Sequence, residues 1–146
     1  MTGTPKKIVI TFCLLALIGM AAGFYMWNKP HKDIANAAAI KTDAVTLYKV
    51  FSADSITANK KFIQQVIQVS GTINSISKNQ QNQTVVLIKT DTDGAYINCT
   101  VEQDLNNLQA GQSISIKGIC NGIGQGDADL GIKGDVYLVR CYLINK

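Results

Sequence analysis

Residues 66–78 read VIQVSGTINSISK, and their pattern decides the fold. Ile67, Val69, Gly71 and Ile73 alternate with polar residues, which is the period of a half-buried β-strand and not of a helix. A glycine inside such a strand suits a strong bend, so we expect the strand to curve at Gly71. The stretch therefore predicts a long, kinked first strand of a β-sheet.

Four further strand-like segments follow at short intervals. They read TVVLIKT, AYINCTV, SISIKGIC and DVYLVRCYLI, and turn-rich or irregular stretches separate them. Alternation places Tyr137, Val139, Cys141 and Leu143 of the last segment on one inner face. Five strands with a long first member and an irregular third connection predict an OB-type barrel, whose closure removes exposed sheet edges.

A helical period precedes the first strand. In DAVTLYKVF, Leu47, Val50 and Phe51 fall on one face at i, i+3 and i+4, and Thr42 is the expected N-cap. A second helix is expected to start at Asp54, ahead of SITANKKF. The domain is therefore predicted to be mainly β, a five-stranded OB-type barrel preceded by short helices.

An uncharged apolar stretch, IVITFCLLALIGMAAGFYMW, occupies residues 8–27. A helix of that length spans about 30 Å, the thickness of the hydrocarbon core of a bilayer. Lys6 and Lys7 precede it and aromatic residues cluster at its far end, so the positive-inside rule predicts a single-pass anchor in the inner membrane with the C-terminal domain outside the cytoplasm. A cleaved signal peptide stays open as the alternative.

The predicted organisation has four segments in chain order. They are a cytoplasmic N-terminus (1–7), a transmembrane helix (8–27), a polar spacer (28–41) and the barrel domain (42–146).

Charge gives no support to nucleic-acid binding. The chain carries a net charge of +4, but beyond residue 27 there are 12 Lys and Arg against 10 Asp and Glu, so the domain is only weakly basic. A surface that neutralises many phosphates needs clustered Lys and Arg. The only adjacent basic pair in the domain is Lys60-Lys61. We therefore do not expect nucleic acid as the partner.

Three cysteines fall on the predicted inner face of the barrel. Outside the cytoplasm oxidation is permitted, so three cysteines allow one disulfide and one thiol. The predicted pair is Cys120–Cys141, with Cys99–Cys141 as the alternative and three buried thiols also open. No CxxC spacing favours redox catalysis, and the three isolated cysteines with His31 do not form a zinc pattern. We therefore predict no metal and no cofactor.

The glycine-rich run NGIGQGDADLGIKGD, residues 121–135, joins the last two strands. A phosphate cradle needs a following helix, and a Ca²⁺ loop needs a closing acidic ligand that is missing here. Because OB domains often bind through this connection, a contact loop and a plain mobile connection both stay open. The candidate contact residues in and around it are Tyr96, Asn121, Gln125, Asp127, Asp129, Arg140 and Tyr142.

Residues 42–143 resemble the bacterial OB-fold family called tRNA_anti-like. The resemblance rests on LYKVFSADSITANKKF leading into VIQVSGTINSISK, then VVLIKTD, INCTV, LQAGQSISIKGICNG and LVRCYL. It implies a fold related to anticodon-binding domains and carries over no catalytic residue. The expected function is that of a non-enzymatic binding module for a protein, an envelope glycan or a small ligand. Single-stranded nucleic-acid binding through Tyr96, Arg140 and Tyr142 is the alternative.

Overall fold

The computed structural model describes residues 4–28, 33–103, 105 and 107–144. The chain forms two units, with the boundary between Asp33 and Ile34. The described part of the first unit contains one helix, α1 (Thr4–Trp27). Its segment Ile8–Trp27 is long and apolar enough to cross a membrane, at the place where the sequence predicts an apolar helix.

The second unit is a closed β-barrel preceded by two short helices, as predicted. Its elements in chain order are β1 (Ile40–Asp43), α2 (Ala44–Ala53), α3 (Ser55–Phe62), β2 (Val66–Lys78), β3 (Thr84–Lys89), β4 (Tyr96–Val101), β5 (Ser113–Ile123) and β6 (Val136–Leu143). The strand order is β1-β2-β3-β4-β6-β5, and a further pairing of β2 with β5 closes the barrel. The fifth barrel strand, β6, therefore lies between the third and the fourth, which is the OB arrangement.

β2 closes the barrel because it changes partners halfway. Its first part pairs antiparallel with β5 as far as Thr72, and its second part pairs with β3 from Ile73 onward. Gly71 lies at this change, where an added Cβ would be 2.5 Å from Cγ2 of Ile88. The glycine predicted to allow curvature thus also allows a close approach of β3.

The folded unit begins earlier than the sequence predicts. Ile34 is 1% exposed, and β1, which the sequence analysis did not predict, pairs parallel with β2. The ammonium group of Lys117 on β5 donates to the carbonyl oxygens of Ala35 and Ala37, both at 2.9 Å. The second half of the predicted spacer 28–41 is therefore held on the barrel and is not a free linker.

The two helices begin at aspartates. The N-cap of α2 is Asp43 and not the predicted Thr42, because a carboxylate oxygen of Asp43 accepts from the backbone N–H of Thr46 at 2.9 Å, whereas the Thr42 hydroxyl donates to the carbonyl of Asp43. Asp54 caps α3 as predicted and accepts from the N–H groups of Ile56 and Thr57. Both caps satisfy amides of the first turn that have no partner inside the helix.

The core confirms the inner faces of β2, β4 and β5 but corrects that of β6. Val136, Leu138 and Cys141 are fully buried, whereas Tyr137, predicted to point inward, is 39% exposed. Val136 and Leu138 are two positions apart, as in a regular strand, but Leu138 and Cys141 are three apart, so the strand contains one extra residue between them. That residue is Arg140, which has a φ of 53°, and the pairing with both neighbouring strands shifts register around it. A β-bulge therefore moves Tyr137 to the outer face.

Candidate binding surface

The connection between β5 and β6 is an ordered β-hairpin, which we call the 124–135 hairpin. The N–H of Gly124 donates to the carbonyl of Asp135 at 2.8 Å, and Asp127 and Ile132 exchange two backbone hydrogen bonds of 2.8 Å. Three backbone hydrogen bonds over so short a segment extend the pairing of the two strands well beyond the barrel. The run that the sequence leaves open as a contact loop or a plain connection is therefore paired with itself as a β-hairpin.

Two glycines of the hairpin are required by close approach of its arms. A Cβ on Gly126 would overlap the carbonyl oxygen of Ile132, and a Cβ on Gly134 would overlap the carbonyl of Gly124. No side chain fits between arms at this separation, since both contacts are with backbone. The glycine content of the run thus reflects the packing of the hairpin against itself.

The tip of the hairpin exposes two large aliphatic side chains. Asp127 accepts the N–H groups of Asp129 and Leu130 through Oδ1, at 3.0 and 3.2 Å, and so fixes the turn as an Asx turn. Leu130 is 71% exposed and Ile132 is 57% exposed. An apolar pair held on a well-defined turn is a feature of contact surfaces, because it is costly in water.

The predicted contact residues separate into two groups. Asn121, Gln125, Asp127 and Asp129 are all exposed along the end of β5 and the hairpin. Tyr96 is half-buried on β4 at the base of the hairpin, where its backbone N–H donates to a carboxylate oxygen of Asp135 at 2.9 Å. These five residues therefore lie along one hairpin and its base.

Arg140 and Tyr142 lie elsewhere and share an acidic partner. The Arg140 Nε donates to Oε1 of Glu102 at 3.3 Å, and the Tyr142 hydroxyl donates to the other carboxylate oxygen. The backbone N–H of the next residue, Leu143, donates to the side-chain oxygen of Gln103. The structure thus does not bring Arg140 and Tyr142 to the hairpin. The carboxylate of Glu102 also offsets the charge of Arg140, the cation of the alternative nucleic-acid-binding surface.

Sequence reasoning missed three residues of this surface, namely Leu130, Ile132 and Tyr137. The ring of Tyr137 lies over Gly124, since a Cβ added there would be 2.7 Å from its Cε2. Register places Tyr137 beside Asn98 on the outer face of β4 and β6. The two aliphatic residues could have been found from the sequence, because Leu and Ile are unusual in a connection rich in Gly and Asp.

The three cysteines of the barrel are buried free thiols. Cys120 lies opposite Leu138 and not opposite Cys141, which places the predicted Cys120–Cys141 pair out of register. Cys141 instead contacts Cys99 on β4, and this contact together with burial holds the pKa of the Cys141 thiol well above its usual value. Burial also raises the pKa of Cys120. Raised pKa values keep these groups as unreactive thiols and not as nucleophilic thiolates.

Within the described residues, no group of three or more His, Cys, Asp or Glu side chains is placed to hold a metal ion. Asp127, the first acid of the Ca²⁺-like run, uses its carboxylate to fix the hairpin turn. His31, the only histidine, lies outside the described residues.

Comparison with known proteins gives a family and a distant structural neighbour. The tRNA_anti-like family model matches residues 4–130. No curated protein matches the chain. Among solved structures, it is similar to a protein assigned as an aspartyl-tRNA synthetase from Leishmania major Friedlin, with a TM-score of 0.44 and 5% identity. That match covers 87% of this chain and 26% of the other, so the chain spans about a quarter of that protein.

Proposed function

The chain belongs to the tRNA_anti-like family, and we propose that it is a membrane-anchored, non-enzymatic binding module that contacts a partner protein through the 124–135 hairpin. The single observation that carries the proposal is the exposure of Leu130 and Ile132 on a hydrogen-bonded hairpin tip. The barrel supplies a rigid base for this tip, and α1 supplies the anchor.

The anchor is supported by three properties of the N-terminal helix. The segment Ile8–Trp27 is uncharged and has the length of a membrane span. Lys6 and Lys7 precede it, and Tyr25 and Trp27 lie at the other end, as is typical of a span whose N-terminus faces the cytoplasm. We therefore place the barrel outside the cytoplasm, which is the periplasm in a cell with two membranes.

Charge favours a protein over a lipid surface as the partner of the hairpin tip. Asp127 and Asp129 are exposed close to the aliphatic pair, and although the exposed Lys133 follows Ile132, the 124–135 hairpin carries three aspartates against this one lysine. Peripheral proteins that insert aliphatic side chains into anionic membranes usually surround them with Lys and Arg, because carboxylates are repelled by the headgroups. We expect a partner with an apolar pocket bordered by basic side chains, since such a surface complements both features of the tip.

The alternative of single-stranded nucleic-acid binding is favoured by one observation, the exposed ring of Tyr137 near Tyr96 on the outer barrel face. Stacking of bases on aromatic rings would use such a face. A basic groove must accompany the rings, however, and Arg140 is paired with Glu102. We therefore keep protein contact as the proposed function and nucleic-acid binding as the second candidate.

The test is site-specific photo-crosslinking of the full-length protein in its native membrane. A photoreactive amino acid is placed at position 130 or, as the matched control, at position 56, where Ile56 is 69% exposed on α3. We expect a discrete protein adduct from position 130 only. The substitution Ile132→Asp should abolish that adduct, whereas Ile56→Asp should leave it unchanged.

Three results would count against the proposal. Identical adducts from positions 130 and 56 would mean that the hairpin has no special contact. Adducts with lipid alone would replace the protein partner by the membrane surface. A C-terminal tag that resists external protease in cells with a permeabilised outer barrier, but is cleaved after lysis, would contradict the proposed sidedness.

A further inference from the structure

Apart from the hairpin tip, a concave surface lies on the side of the barrel formed by β1, β2 and β5. It contains none of the hairpin residues. We call it the β1–β2–β5 groove, and its volume is about 680 Å³. Cavities of this size are typical of small-molecule sites. Its neutral polar lining consists of six side chains with hydroxyl or amide groups, namely Thr42, Gln68, Ser70, Gln112, Ser113 and Ser115.

The register of the strands brings these groups together. Ser70 on β2 lies directly opposite Ser115 on β5, and Thr72 lies opposite Ser113. The amide nitrogen of Gln68 donates to the Ser115 hydroxyl oxygen at 3.0 Å, which orients that hydroxyl while leaving its proton to be donated. The strands thus present a fixed row of hydroxyls facing outward from a rigid sheet.

The other part of the lining is aliphatic. Leu108 comes from the connection between β4 and β5, Ile114 from β5, and Leu143 and Ile144 from the end of β6. The backbone N–H of Ile144 donates to the carbonyl of Ser115 at 2.9 Å, which fixes this end of the chain against the groove. One side of the groove is therefore polar and the other apolar.

The charge of the groove is simple. Lys41 on β1 is the only charged residue in the described lining, in which no carboxylate occurs. Lys117 lies in the same cross-strand row as Lys41, since both residues pair with Gln68 in register. The ammonium of Lys117 is already bound to the carbonyls of Ala35 and Ala37, so among the described residues here Lys41 is the cation that we expect to meet a ligand.

We propose that the β1–β2–β5 groove binds a short oligosaccharide that carries one carboxylate. A pyranose has hydroxyls that both donate and accept, which match the serine, threonine and glutamine side chains, and C–H faces that match Leu108 and Leu143. The ammonium of Lys41, the charged group of the described lining, can pair with one carboxylate. The Ser70 and Thr42 hydroxyls already donate to the carbonyls of Thr42 and Asp43, so towards a ligand they act as acceptors, whereas Ser115 can still donate. A purely aliphatic ligand would desolvate this polar side without forming new hydrogen bonds and so would bind poorly.

The test uses two disaccharides and the full-length protein in detergent micelles. The acidic probe is N-acetylglucosamine linked to glucuronic acid, and the neutral counterpart is diacetylchitobiose. Binding is followed by the ¹H–¹⁵N chemical shifts of the backbone amides. We expect the acidic disaccharide to shift the amides of Ser113 and Ser115, and to bind more tightly than the neutral one.

Two matched variants separate charge from general damage. Lys41→Met should weaken binding of the acidic disaccharide about fivefold and leave binding of the neutral one unchanged, because one exposed ion pair is lost. Lys78→Met, at the far end of β2, should change neither. Gln68→Leu should weaken both disaccharides, since it removes the group that orients Ser115.

The proposal is overturned if neither disaccharide shifts amides of the groove, or if the shifts occur on the 124–135 hairpin instead. It is also overturned if Lys41→Met and Lys78→Met have the same effect. Binding of an extended peptide but of neither sugar would assign the groove to another ligand class. None of these results bears on the photo-crosslinking of the hairpin, because the two surfaces share no residue.

Discussion

The substitution Gly118→Ala tests how the barrel interior is filled. Gly118 is buried on β5, and an added Cβ would lie 2.5 Å from Sγ of Cys141 and 3.1 Å from the carbonyl oxygen of Val139. An ordinary contact with sulfur needs roughly 1 Å more, so the thiol of Cys141 has to move within a packed core. Overpacking of this kind costs about 1–3 kcal/mol.

The backbone itself is compatible with alanine at this position, because Gly118 is not among the residues with positive φ. Restriction of the unfolded chain by alanine offsets the packing cost by about 0.4–1 kcal/mol. We therefore expect a net loss of about 1–2 kcal/mol in the free energy of unfolding. For a domain of this size the melting temperature should fall by roughly 4–8 °C.

A double-mutant cycle identifies the cause of the loss. In a Cys141→Ala background the sulfur is absent and only the contact with the Val139 carbonyl remains, so Gly118→Ala should cost less and the two changes should couple by about 1 kcal/mol. Gly71→Ala is the matched control, since its Cβ would meet Ile88 and not Cys141. Its cost should be the same in both backgrounds. The free energies come from denaturant unfolding followed by far-ultraviolet circular dichroism, and equal costs of Gly118→Ala in both backgrounds would refute the reasoning.

Three further predictions follow from single contacts. Lys117→Met should lower the free energy of unfolding by about 1–3 kcal/mol, because the carbonyls of Ala35 and Ala37 lose a charged donor. It should also speed proteolysis within residues 33–39, and an unchanged cleavage rate would contradict the proposal that Lys117 holds this segment. The hydrogen bond from the backbone N–H of Thr46 lowers the pKa of Asp43 below its usual value of 3.8. The stabilisation by this cap is therefore complete above pH 3.8 and is lost as the pH falls through the lowered pKa. The melting temperature of Asp43→Asn, measured against pH, should lack the decrease that this loss causes in the unsubstituted protein. A disulfide reagent should leave Cys99, Cys120 and Cys141 unmodified in the folded domain and react with them after denaturation, because all three thiols are buried; modification of the folded domain, detected by intact mass, would contradict this burial.

The sequence was sufficient for the parts of the fold that local pattern determines. Alternation of apolar and polar residues located the five barrel strands, and Gly71 marked the bend in the first of them. Asp54 was recognised as a helix start because its side chain caps amides only two and three residues away. In each case the decisive interaction is short-range or follows from the period of one element.

The features that were missed depend on contacts between distant segments. β1 has four residues and no alternation of its own, so only its pairing with β2 defines it. Ile34 and the carbonyls bound by Lys117 belong to a stretch that resembles a linker in composition. The bulge at Arg140 shows only in the pairing of β6 with both neighbouring strands. Because one extra residue shifts the alternation, the side chains before the bulge point to the opposite face from the one that simple alternation counted from Cys141 predicts. For that reason Tyr137 was assigned to the wrong face.

The glycine content of the 124–135 hairpin is typical of a flexible loop, but its backbone is paired. Glycine-rich connections are usually mobile, because glycine loses the most entropy on folding. In the 124–135 hairpin, however, Gly126 and Gly134 are required by arms that lie too close for any side chain, and backbone hydrogen bonds hold those arms. A tip fixed in this way loses little further conformational entropy when it meets a partner. If Leu130 and Ile132 were exposed on a disordered loop, binding a partner would cost more conformational entropy. The backbone hydrogen bonds of the hairpin therefore favour the proposed contact through its tip.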